Sequence, residues 1–136
     1  MMRMSLKILL VDDEPLLRRA FRTLLEASGY AVAEAGTGGE AIAKATTDRP
    51  ALILLDLGLP DRSGLDVARE LAGDPRTHGI PVVAMTGQSG PGIGEQCTAA
   101  GCLGHLEKPV PPSELVRRIP AWLGEPPTNG RSGIPV

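Results

Sequence analysis

The stretch Lys7-Ile8-Leu9-Leu10-Val11-Asp12-Asp13-Glu14 decides how this chain is read. An apolar run from Leu6 to Val11 gives way at once to three acids. A run this short, without polar alternation, reads as a strand of a parallel sheet buried on both faces. Similar runs occur at Ala51–Leu55, which closes on Asp56, and at Ile80–Met85, which closes on Thr86. Weaker ones lie at Tyr30–Ala35 and Leu103–Leu106, the last followed by Lys108-Pro109.

Amphipathic stretches of helical length separate these runs. Pro15 suits a first helical turn, where its missing N–H costs nothing. Leu16, Leu17, Ala20, Phe21, Leu24 and Leu25 follow at helical spacing, with Arg18, Arg19 and Arg22 on the other side and Gly29 as the stop. Thr37-Gly38-Gly39-Glu40 is a capping-box pattern opening a second helix through Ala41, Ile42 and Ala45. A third follows Ser63-Gly64, and a last one starts near Pro112-Ser113. Gly87 to Gly101 is rich in Gly and Pro at its start, so a short or mobile fourth helix is expected, over about Glu95–Ala100. Pro120 is expected to kink or end the fifth.

The 136 residues suit one domain, over 5–123, with 124–136 as a flexible tail or linker stub. The only aromatic residues are Phe21, Tyr30 and Trp122, so the core is aliphatic. No apolar run approaches the roughly 20 residues of a membrane span, and no signal-peptide pattern opens the chain. A net charge of −2 with mixed signs carries no footprint for nucleic acid. Cys97 and Cys102 fit neither a disulfide framework nor a zinc site and read as reduced thiols. Gly (17) and Pro (13) are in excess, and more than half of them fall in the last fifty residues.

Strand–helix alternation five times over implies a doubly wound α/β sheet with helices on both faces. Such sheets build sites at the carboxyl ends of their strands. Asp12, Asp13, Glu14, Asp56, Thr86 and Lys108 all fall there. Clustered carboxylates repel by about 4 kcal/mol per pair at ~4 Å and an effective dielectric of 20, so they need a cation or shifted pKa values. Few, all-oxygen ligands suit Mg²⁺. A lysine supplies a point charge for phosphate, a threonine a hydrogen bond, and an aspartate a nucleophile. Taken singly, each residue has an ordinary reading as a loop acid, a helix-dipole partner or a surface lysine. At four successive strand ends, they point to a Mg²⁺-assisted phosphoryl acceptor.

Four segments together resemble the receiver domain of two-component response regulators (CheY-like). They are Lys7–Glu14, Leu54–Gly64, Pro81–Gly87 and Glu107-Lys108-Pro109, and the resemblance covers residue 5 to about 123. It implies a flavodoxin-like five-stranded parallel sheet in the order 2-1-3-4-5. It implies that Asp56 takes a phosphoryl group from a sensor histidine kinase or phosphotransfer protein. Asp13 would bind Mg²⁺ directly, Asp12 mainly through water, with Asp56 and the Gly58 carbonyl completing the protein's ligands. Thr86 would hydrogen-bond the phosphoryl group and move toward it, Lys108 would pair with its oxygens, and the Lys108–Pro109 peptide would be cis. The chain would be a cytoplasmic switch, not an enzyme beyond assisting its own phosphotransfer and dephosphorylation.

Departures from that family lie elsewhere. The family usually carries Tyr or Phe three residues before the lysine, as part of its switch, and His105 stands here. A His either buries its ring with a titratable proton or acts as an exposed substitute. The departures gather on the fourth helix, fifth strand and fifth helix, the face where the family commonly meets a downstream protein or a second copy. Two other readings compete. A phosphatase of the haloacid-dehalogenase type needs a second Asp two residues after its nucleophile, where this chain has Gly58. A receiver-like interaction module would never be phosphorylated.

Overall fold

A computed structural model describes residues 6–88 and 90–124; the expected tail over 125–136 lies outside the described residues. Five strands and five helices alternate along the chain. They are β1 (Lys7–Val11), α1 (Pro15–Ala27), β2 (Ala31–Ala35), α2 (Gly38–Asp48), β3 (Leu52–Asp56), α3 (Gly64–Gly73), β4 (Val82–Thr86), α4 (Ile93–Ala99), β5 (Gly104–Glu107) and α5 (Pro112–Trp122). The strands form one parallel sheet in the order β2-β1-β3-β4-β5, the flavodoxin-like order expected.

The continuous apolar runs are explained by burial on both faces. Alternate residues of the central strands point to opposite sides. Ile8, Leu10, Leu52, Leu54, Val83 and Met85 pack with Phe21, Leu25, Leu115 and Ile119 of α1 and α5. Leu9, Val11, Ile53, Leu55 and Ala84 pack with Ala41, Ala45, Val67, Leu71 and Cys97 of α2, α3 and α4. Each such side chain is worth about 1.5–3 kcal/mol when fully buried. The core is therefore two aliphatic layers around β1, β3 and β4.

Several local expectations are refined. Leu16 is 82% exposed, and Ala20 is exposed as well. The buried stripe of α1 runs through Leu17, Phe21 and Leu25, one position around the helix from Leu16. Thr37 caps α2 by accepting from the Glu40 N–H at 3.1 Å, but Glu40 reaches back to the Gly36 N–H instead of that of Thr37. The fourth helix is short, at seven residues. The fifth continues two residues past Pro120, because the lost bond falls in its last turn where few bonds remain to be made. Cys97 and Cys102 are free and buried. They flank the end of α4, where the Cys102 N–H closes on the Cys97 carbonyl at 2.9 Å. Burial pushes the Cys102 thiol up to about 11.

Edge strand β2 is tied to α1 by charge. Glu34 accepts from Arg18 Nε and from Arg22 Nη1, both at 2.6 Å. The hydrogen bond from Arg22, then that from Arg18, holds its carboxyl below the usual carboxylate range. A depressed carboxyl stabilises the fold above its unfolded pKa and loses that contribution as pH falls through the folded one. Glu34→Gln is therefore expected to cost roughly 1 kcal/mol at pH 7, a cost that shrinks as pH falls through the folded pKa, read by urea denaturation at pH 7 and in a series of acid buffers.

Candidate functional site

Parallel strands deliver the carboxyl ends of β1, β3, β4 and β5 to one edge. Register makes the edge compact. Val11 pairs with Leu55, Asp56 with Met85, and Thr86 with Glu107. Asp12, Asp56, Thr86 and Lys108 therefore arrive side by side from sequence positions far apart.

Asp12 is fully buried, Asp56 nearly so at 5% exposure, and Thr86 at 3%. Asp13 is exposed at the mouth. Carboxylate oxygens of Asp12, Asp13 and Asp56 lie within 4.8 Å of one another. Lys108 Nζ stands between two of them, 3.4 Å from Asp12 Oδ2 and 3.4 Å from Asp56 Oδ2. The sites named from sequence, Asp12, Asp13, Asp56, Gly58, Thr86 and Lys108, are thus brought together around one cleft of about 480 Å³ that Asp13, Asp56, Gly58, Thr86 and Lys108 line.

The carboxylates are held by backbone. The Glu14 N–H donates to Asp12 Oδ1 at 2.9 Å, and the Gly58 N–H donates to Asp56 Oδ1 at 3.1 Å. Thr86 Oγ1 accepts from the Gln88 N–H at 3.0 Å, which leaves its proton free to donate elsewhere. The Lys108 N–H donates to the Thr86 carbonyl at 2.7 Å, and the following peptide to Pro109 is cis.

Electrostatics leave the cluster short of positive charge. Burial raises the Asp56 carboxyl above its ordinary value, and Asp12 adds to the rise. The Gly58 N–H and the Lys108 ammonium oppose it without cancelling it. Burial works against the Lys108 charge, yet Asp56 and Asp12 outweigh it and hold its pKa above the usual lysine value. Three carboxylates against one ammonium leave a surplus of two negative charges. An all-oxygen, doubly negative set with an open mouth fits a hard divalent cation.

The loop after β3 holds Gly58 in place by contacts the sequence did not advertise. Asp61 accepts from the Gly38 and Gly39 N–H groups at 2.8 and 3.0 Å, capping α2 from across the molecule. Gly64 passes so close under the loop that a Cβ there would lie 2.5 Å from Leu57 Cα. His105 lies exposed on β5, away from the cluster, its ring against Gly94 of α4, where a Cβ would stand 3.0 Å from Cε1. Arg18, read from sequence as part of an outer polar face, is half-buried and donates to the Asp12 carbonyl at 2.6 Å.

Known proteins resemble this chain in sequence and in fold. The family model for the response regulator receiver domain matches residues 8–120. The polar-differentiation response regulator DivK of Brucella anthropi is 36% identical over 122 residues, covering 90% of this chain and 99% of that protein. A CheY-like response regulator receiver domain protein from Methanospirillum hungatei superposes with a TM-score of 0.82 at 29% identity, covering 89% of this chain and 95% of that one. The receiver domain of the sensor histidine kinase PA1611 from Pseudomonas aeruginosa, described with a magnesium ion coordinated in its active-site cleft, gives 0.81 at 31% identity, covering 90% and 100%. With the sheet order, the acidic cleft and a family match over most of its length, the chain belongs to the receiver domains of two-component response regulators.

Proposed function

We propose that the chain is a phosphorylation-dependent signalling switch whose acceptor is Asp56. The observation that carries this reading is the buried Asp56 carboxylate facing the Lys108 ammonium at 3.4 Å, an ammonium it shares with Asp12, so that one lysine stands against the three carboxylates of Asp12, Asp13 and Asp56. Asp12, Asp13, Asp56 and the Gly58 carbonyl would hold Mg²⁺, which would offset the surplus charge and draw in a phosphoryl group. An Asp56 carboxylate oxygen attacks phosphorus in line, a new O–P bond forms, and the bond from phosphorus to the donor histidine's ring nitrogen breaks, the electron pair leaving with the ring. Lys108 then pairs with a phosphoryl oxygen, and the Thr86 hydroxyl donates to another. The donor would be a sensor histidine kinase or a phosphotransfer protein.

The proposed receiver unit is the one expected over 5–123, and the proposed setting is cytoplasmic. Thr86 and His105 are the proposed switch residues, acting toward a downstream protein or a second copy across α4, β5 and α5. Nothing in this reading needs turnover of an outside substrate. Gly58, in the place of a second aspartate, disfavours the phosphatase alternative.

Incubation with acetyl phosphate and Mg²⁺ is expected to add one phosphoryl group by intact-mass spectrometry, with no addition in EDTA or in Asp56→Asn. Labelling that persists in Asp56→Asn would overturn the acceptor, and an unmodified wild type, also with kinase extracts, would favour the passive module. Charge crowding gives a second expectation. Burial and the neighbouring Asp12 disfavour the ionised Asp56 carboxyl in the folded state. Asp56→Asn should therefore raise the thermal midpoint in EDTA at pH 7, where stability loss is the usual result of a substitution at a buried position. Millimolar Mg²⁺ should stabilise the wild type more than the variant and narrow the gap.

A further inference from the structure

We infer that Arg18 is a positioning residue for the cation site, acting on Asp13 through the Asp12–Asp13 peptide; this rests on the metal reading above. Asp13 is exposed, and its side chain makes no hydrogen bond or ion pair among the described residues. With no side-chain partner to hold it, its place within 4.8 Å of the other carboxylates depends on the backbone that carries it. That backbone is gripped from behind. Arg18 Nη1 donates to the Asp12 carbonyl oxygen, the oxygen of the Asp12–Asp13 peptide, at 2.6 Å. The Asp12 N–H donates to the Ala35 carbonyl at 3.0 Å, and Asp12 Oδ1 takes the Glu14 N–H. Both faces of the turn are thereby fixed.

The guanidinium is not free to swing. Its Nε donates to Glu34 Oε1 at 2.6 Å, and Glu34 is in turn held by Arg22 Nη1 and, at its main-chain carbonyl, by Lys44. Its side chain is only 20% exposed. Gly36 leaves room for it, since a Cβ there would stand 3.3 Å from Nη1. A planar fork spans a carboxylate and a carbonyl at once, which a lysine's single ammonium does less well.

The charge of Arg18 makes the inference testable by sign. By Coulomb's law alone, deleting a cation near a cation site should tighten Mg²⁺ binding. If Arg18 positions Asp13, deleting it should weaken binding, by about tenfold as for other residues that orient metal ligands. Calorimetric titration of the full chain with MgCl₂ decides between them, with wild type, Arg18→Ala, Arg18→Lys and Asp13→Ala. Weaker binding in Arg18→Ala, intermediate binding in Arg18→Lys, and a Mg²⁺-dependent shift of the Asp13 amide resonance that shrinks in Arg18→Ala are expected. The Mg²⁺ half-saturation for acetyl-phosphate labelling should move more than the rate at saturation. Should Arg18→Ala fail to fold, Arg18→Lys carries the same test. Unchanged or tighter binding in a folded Arg18 variant, with binding intact in wild type and lost in Asp13→Ala, overturns the inference alone. No binding by wild type, or binding untouched in Asp13→Ala, overturns the metal reading and this inference with it.

Discussion

Two carboxylates under cover with a single ammonium between them are the constraint around which this molecule is organised. Removing an ion from water costs several kcal/mol even after relaxation, and Asp12 and Asp56 both incur that cost at the ends of the central strands. The aliphatic layers on either side of β1 and β3 offset it. The positions just before these acids, Val11 and Leu55, are fully buried, and the backbone N–H groups of Glu14 and Gly58 are aimed at the carboxylates. Lys108 then comes from the end of β5, two places from β3 and three from β1 in the sheet order. Sheet order, core composition and site are one solution to one electrostatic problem.

Most of that solution is visible in the linear chain. Strands buried on both faces betray themselves as unbroken apolar runs, and Asp12, Asp13, Asp56, Thr86 and Lys108 each directly follow one or lie two residues beyond it. Asp56, Thr86 and Lys108 are therefore legible by position. Leu16 shows where periodicity fails, since a helix of this pattern admits a buried stripe one residue to either side, and only the packing of Phe21 and Leu25 selects between them. Arg18 and Asp61 were illegible for a different reason. Their partners, the Glu34 carboxylate and the α2 N–H groups, belong to elements 16 and 22–23 residues away, so each reads locally as an ordinary surface charge.

The two halves of the molecule differ in construction. Around β1, β2 and β3, the loops are braced by charge and capping: Arg18, Glu34 and Asp61 each join two elements. Around α4 and β5, the elements are short, and glycine supplies closeness in place of side-chain contact, as between Gly94 and His105. The Gly and Pro excess of the second half belongs to this lighter construction.

β5 has a neighbour on one side only, β4, and is four residues long. Lys108 follows directly on it and is tied to β4 by its own N–H through the Thr86 carbonyl. A tug on the lysine from the cleft therefore meets a single seam of backbone bonds, whereas the same tug on Asp56 meets two, because β3 is flanked by β1 and β4. The cleft thus joins a strand flanked on both sides to one flanked on a single side, and Lys108 is stitched to the latter.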